Sequence, residues 1–169
     1  FEMGIGYGWN REEMFHHGVE FSTRRERVRE TMLAVKQLST EEEAEFHGEF
    51  IDFDPSWAWP KPVKEKGPRV MLGGAPGPTI FQHIAEFGNG WMPIGGSGIK
   101  ASLSDLQKVC ESKERDFSEI SIIPFGTVPD QGKLDYFEEL GVDEVILRVP
   151  AGPREYVLET LDSYVSFLK

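Results

Sequence analysis

Arg69-Val-Met-Leu-Gly-Gly-Ala-Pro-Gly-Pro-Thr79, followed by Phe87-Gly-Asn-Gly-Trp91-Met-Pro93, is the stretch that decides the fold. Arg69 to Leu72 has the apolar character of a buried strand. Gly77 to Phe87 reads as a helix with Gly88 just past its end, and Gly90 to Pro93 as a second, brief strand. Strand, helix and strand in so short a span make a βαβ unit, which implies parallel strands joined by a right-handed crossover.

The same rhythm extends in both directions. Toward the C-terminus, Ser104 to Lys113 reads as a helix, Ile120 to Phe125 as a strand, and Asp130 to Leu140 as a helix that Gly141 stops. Glu144 to Val149 is a last strand, and Pro153 opens a last helix that runs to Leu168. Toward the N-terminus, Phe1 to Tyr7 is a strand ending in the Gly4, Gly6, Gly8 series. Asn10 with Glu13 fits a capping box, and from Ser22 the residues Val28, Met32, Val35 and Leu38 recur at helical spacing. Between about residues 39 and 68 the pattern lapses into an irregular insertion, with a hairpin expected around Gly48. Its aromatics Trp57 and Trp59 and its prolines suit packing across one end of a sheet.

Five strands, each followed by a helix, fit either an open doubly wound sheet or the C-terminal part of a (β/α)₈ TIM barrel. A complete barrel takes ~250 residues, and the chain has 169. Short connections and small residues at several strand ends favour a barrel portion forming one domain over residues 1–169.

Composition narrows the function. The chain carries 18 Lys+Arg against 29 Asp+Glu, a net charge of −11, which argues against nucleic-acid binding. The densest basic run, Arg24 to Arg29, reads as a solvated helix face. No run reaches the ~18 apolar residues of a membrane span. Cys110 is the only cysteine, which excludes an internal disulfide, fits a reducing compartment such as the cytoplasm, and in its helix reads as core. His16 and His17 are adjacent and point ~100° apart on a helix, so no metal site is expected. No nucleophile triad or acid/base pair can be proposed, so no catalytic residue is assigned.

In either parallel architecture ligands bind at the carboxyl ends of the strands. The candidates there are Gly8 and Trp9, then Gly73, Gly74, Ala75, Pro76, Gly77 and Thr79, then Pro93 to Gly96, Gly126 with Thr127, and Arg148. A glycine-rich turn opening a helix offers backbone N–H groups to a phosphate, helped by the Thr79 hydroxyl; the same turn with Thr79 as N-cap would serve structure alone. Gly4-Ile-Gly-Tyr-Gly8 lacks the spacing of a dinucleotide fingerprint, since Trp9 stands where a glycine is needed. A site with glycine-rich strand ends and no protein nucleophile suits a cofactor that performs the chemistry itself.

Several motifs occur in order: Gly4-Ile-Gly-Tyr-Gly-Trp-Asn-Arg-Glu-Glu13, His17-Gly-Val19, Arg24 to Glu30, Phe46-His-Gly-Glu-Phe50, Pro60-Lys-Pro-Val63, Gly73-Gly74, Gly88-Asn-Gly-Trp91 and Gly141 to Arg148. Together they resemble the bacterial-luciferase-like monooxygenases, especially the branch of coenzyme F420-dependent oxidoreductases. The resemblance implies a TIM barrel that binds FMN or F420 at its C-terminal face, with Phe1 to Tyr7 as the fourth strand and the first three absent. It implies hydride transfer between cofactor and a small organic substrate, or O₂ activation on FMN. The Gly73 to Thr79 turn would cradle the phosphate, Gly8-Trp9 would lie beside the pocket, and Arg148 at its mouth. Lys61, Lys64, Lys66 and Arg69 are candidates for the acidic tail of F420. Two other outcomes remain open: a non-catalytic half-barrel that pairs as a homodimer or with another barrel portion, and a module that binds a phosphate-bearing ligand.

Overall fold

The strand β4 (Arg69–Gly73) sits inside the sheet because its side chains are apolar on both faces: Val70, Met71 and Leu72 are all buried. On one side it pairs in parallel with β1 (Glu2–Ile5), in a register running from Glu2 opposite Arg69 to Ile5 opposite Leu72. On the other side lies β5 (Gly90–Met92), also parallel, followed by β6 (Ser121–Ile122). A computed structural model describes residues 1–96 and 98–168 of the chain.

The strand expected over residues 120–125 is split. The Ile123 N–H still donates to Trp91 O and the Phe125 N–H to Pro93 O, but Pro93 on the facing strand has no N–H to return, so the ladder is interrupted between β6 and β7 (Phe125–Thr127). Ile94 bridges Phe125, and β7 pairs in parallel with β8 (Ile146–Leu147). The series therefore runs β1, β4, β5, β6 with β7, and β8, the expected five strands in parallel. The last strand is shorter than expected, and ahead of it Asp143 Oδ2 accepts from the Ile122 N–H at 2.9 Å.

Two helices cover one face of the sheet. Helix α2 (Arg24–Thr40) follows a 3₁₀ turn at Phe21–Thr23, and α3 (Pro78–Phe87) links β4 to β5. The α3 residues Ile80, Phe81 and Ile84 pack with Leu72, Trp91 and Met32, and the Phe81 and Trp91 rings meet edge-on at 5.3 Å. Arg29 holds the two helices together through a bidentate pair with Glu86, one arm being Nε to Oε2 at 2.7 Å. The run Arg24 to Arg29 is thus not simply solvated, since Arg24 also stacks on the Phe21 ring at 3.7 Å and Arg27 over Phe50 at 5.0 Å.

Helix α4 (Ile99–Ser112) begins five residues earlier than its apolar spacing suggests; Gly98, at φ +78°, turns the chain into it, and Ile99 is buried. Cys110 lies in the core, as expected. Helices α5 (Gln131–Glu139) and α6 (Arg154–Tyr164) complete the order, and Asp130 caps α5 by accepting from the Lys133 N–H.

The insertion holds the expected hairpin, β2 (Ala44–His47) with β3 (Asp52–Ser56), Phe46 facing Phe53. Glu30 of α2 fixes it, its carboxylate accepting the N–H groups of Glu49, Phe50 and Ile51 at 3.0, 2.7 and 3.0 Å. Burial works to raise the Glu30 pKa, but these three bonds hold it below the usual carboxylate value. Trp57 and Trp59 do not cover an end of the sheet; both are exposed, and Trp57 Nε1 donates to Glu43.

Candidate functional site at the carboxyl ends of the strands

Because all five strands run the same way, their carboxyl ends form one rim. The turn after β1 stands next to the turn after β4. Gly8 has φ +76°, a left-handed conformation that favours glycine, and a Cβ there would also have to displace the end of the Met14 side chain. Trp9 follows, 85% exposed on the rim. Asn10 then caps α1 (Arg11–His16), its Oδ1 accepting the N–H groups of Glu12 and Glu13. A cavity of about 360 Å³ lies under this turn, lined by Gly8, Trp9, Met14, His17, Arg24 and Arg27 among others.

The turn from Gly73 to Thr79 is held from below. Trp91 Nε1 donates to the Gly74 carbonyl at 3.0 Å, and the Gly74 N–H donates to Met92 O at 3.3 Å. A Cβ on Gly74 would come within 3.0 Å of Ile80 Cδ1, and one on Gly77 would meet nothing within 4 Å. Helix α3 starts at Pro78 with Gly77 as N-cap, and no side chain caps it. Thr79 is therefore not the cap; it lies within the first turn. Its neighbours Ala75 and Pro76 are exposed. A ten-residue helix thus presents an uncapped, positively polarised end at a glycine turn on the rim.

Beneath the Gly8 turn, the Tyr7 hydroxyl meets His83 Nδ1 of α3 at 2.8 Å. Burial pushes the Tyr7 phenol up to about 12 and moves the His83 imidazole below its usual value, so both are neutral near pH 7. This pair was not singled out from sequence. Tyr7 and His83 are 76 residues apart, and only the β1–β4 register brings them together.

Farther along the rim, Thr127 is fully buried, and its hydroxyl has no hydrogen-bond partner among the described residues. Gly95, Gly96, Lys100, Lys133 and Tyr136 help to line a cavity of about 530 Å³. The two lysines were not anticipated; the run of glycines before α4 was the available signal. Arg148 is exposed just past β8 and reaches the rim, but β5 and β7 separate its strand from β4. It therefore does not join the Gly73 turn. Lys61, Lys64, Lys66 and Arg69 lie at the opposite end. Arg69 is the first residue of β4 and pairs with Glu2, and Lys61 Nζ donates to Leu38 O at the end of α2.

Among the described residues no group of three or more His, Cys, Asp or Glu side chains is placed to hold a metal, and no helix is long and apolar enough to cross a membrane. Parallel strands that end in glycine turns, with an open helix terminus on the rim, define an α/β protein of the TIM-barrel type. The luciferase-like monooxygenase family matches residues 1–129, and the chain belongs to that family.

An uncharacterised protein of Mycobacterium tuberculosis is 39% identical over 150 residues, which is 88% of this chain and 52% of that protein. The chain thus spans about half the length of this relative. Among solved structures, the monooxygenase RslO1 from Streptomyces bottropensis superimposes with a TM-score of 0.77 at 16% identity, over 99% of this chain and 67% of that one. An F420-dependent secondary alcohol dehydrogenase, solved with an F420-acetone adduct, gives 0.62 at 17% identity, over 95% and 52%. These likenesses support the barrel-type fold.

Proposed function

We propose that the chain forms the cofactor-phosphate side of an oxidoreductase that uses F420 or FMN on a small organic substrate. The observation that carries this reading is the uncapped N-terminus of α3 behind Gly73 and Gly74. First-turn amides there have no side-chain acceptor, and the glycines let a phosphate approach the backbone. The residues present therefore fit the phosphate of such a cofactor.

On this reading the backbone from Gly73 to Gly77 and the Thr79 hydroxyl hold the phosphate. Gly8 and Trp9 wall the adjoining part of the pocket, and Arg148 serves an acidic group at the mouth. The cofactor, when bound, supplies the hydride exchange or, for FMN, the oxygen chemistry. The chain's own residues bind and orient it and shield it from water. Tyr7 and His83 lock the base of the Gly8–Trp9 turn, so that the wall keeps its place. Among the described residues no strand pairs with the outer edge of β1, where Gly4 and Gly6 face open space, which leaves room for a further strand from another barrel portion or a second copy.

Fluorescence titration of the protein with FMN and with F420, in parallel, tests the reading. Saturable binding of one of them is the expected result. Binding of neither would overturn it.

A further inference from the structure

We infer that the amino end of the sheet carries a second site, independent of the cofactor reading, which takes a small amphipathic anion: an apolar body with a carboxylate or phosphate head. A cavity of about 670 Å³ opens there, within the roughly 300–1,000 Å³ range of small-molecule sites. Its floor is apolar and comes from four elements: Met3 of β1, Met32 and Val35 of α2, Val70 of β4 and Phe87 of α3. Met3, Met32, Val70 and Phe87 belong to the packed layer between sheet and helices.

The rim is cationic. Lys36 of α2 and Lys64 and Lys66 of the loop before β4 stand around the opening, with no ion pair among the described residues. Arg69 and Arg115 also line the cavity but are engaged, Arg69 by Glu2 at 2.9 Å and Arg115 by Glu119 at 3.1 Å. Glu65 offsets one lysine, which leaves a positive surplus on a chain whose net charge is −11. An apolar floor rewards an apolar body, and free ammonium groups at the mouth favour an anionic head.

The wall that bears the lysines is pre-formed, which lowers the ordering cost of binding. Lys61 Nζ ties the loop to Leu38 O at 2.8 Å, and the Gly67 N–H closes a turn onto Lys64 O at 2.8 Å. Gly67, at φ +76°, is buried, and a Cβ on it would lie 3.5 Å from the Ser39 side chain.

Titration calorimetry of the protein with octanoate, octyl phosphate and octanol tests this. The expected result is saturable one-to-one binding of at least one of the anions, with octanol about tenfold weaker or worse. The preferred anion identifies the head group. The triple variant Lys36→Ala, Lys64→Ala, Lys66→Ala should lose about tenfold in affinity, whereas the charge-matched Lys108→Ala, Lys113→Ala, Arg154→Ala should not. Octanoate or octyl phosphate binding should persist in Gly74→Val, which separates this site from the cofactor turn. Absence of saturable anion binding, octanol binding as tightly as the anions, or equal loss in both triple variants would overturn the proposal.

Discussion

The two ends of β4 differ in what satisfies them. At the amino end, Arg69 reaches Glu2 on the neighbouring β1 and, across β5, Ser121 of β6, so the chain's own side chains satisfy the start of the strand. At the carboxyl end, Gly73 and Gly74 carry no side chain, and the helix that follows starts without a cap. One end is tied by ion pairs and ringed by lysines; the other leaves backbone groups available. Function at the carboxyl end thus relies on main-chain geometry, which side-chain substitutions reach only indirectly.

The largest effect should come from Trp91, the residue that joins the carboxyl-end turn to the core. Trp91→Ala removes a fully buried ring and should cost about 3–5 kcal/mol in urea unfolding. Trp91→Phe keeps most of the packing but loses the bond to Gly74 O, and should cost about 1 kcal/mol while still weakening cofactor binding. Equal stability of the alanine variant and the parent would show that the turn is not anchored through this ring.

Gly74→Val asks whether the open backbone matters by itself. Its Cβ presses on the tip of Ile80 at a backbone φ of +159° that strains a side chain, so urea unfolding should show some loss of stability with the protein still folded, and cofactor affinity should fall by about tenfold or more. Unchanged affinity would remove this turn from the site.

The pH dependence of stability separates the Tyr7–His83 pair from the rest of the rim. The His83 pKa is lowered in the fold, so below its ordinary 6.5 the unfolded chain takes up a proton that the fold resists, and stability falls as the pH drops. Tyr7 is raised from 10.0 to about 12, so its contribution is complete below 10 and is lost as the pH rises toward 12. Urea midpoints should therefore decline at both extremes. His83→Gln should flatten the acid limb and Tyr7→Phe the alkaline one.

The smallest effect belongs to the amino end. Arg69→Ala breaks a part-exposed ion pair and should cost about 1 kcal/mol or less, with cofactor binding unchanged. A marked loss of cofactor affinity would show that the two ends are coupled.

What could be seen in the sequence follows the same division. The βαβ rhythm, the hairpin at Gly48, the cap at Asn10 and the buried Cys110 rest on local patterns, and all are present in the structure. The glycine turns could be placed at strand ends because period and punctuation alone locate a strand's end. What stayed hidden depends on long-range pairing. Arg24 to Arg29 looked like a solvent face because Glu86 and Phe50, which engage Arg29 and Arg27, lie far along the chain. Lys61 to Arg69 looked available for an acidic tail because nothing local tells which end of a strand a preceding loop will occupy. Pro93, which interrupts the ladder between β6 and β7, was visible as a proline, but the bond that Asp143 accepts from the Ile122 N–H was not.

The register of β1 against β4 has a kinetic consequence. Glu2 lies opposite Arg69, so this ladder closes over the whole span that holds α1, α2 and the hairpin, whereas Met71 and Gly90 meet across α3 alone. Loop-closure entropy and sequence separation both favour the shorter connection. The β4–α3–β5 unit should therefore be the nucleus, with β1 recruited late; pulse-labelled amide exchange during refolding should protect Leu72 and Trp91 before Met3 and Ile5. The Tyr7–His83 contact, which depends on that late ladder, would then be among the last parts of the rim to assemble.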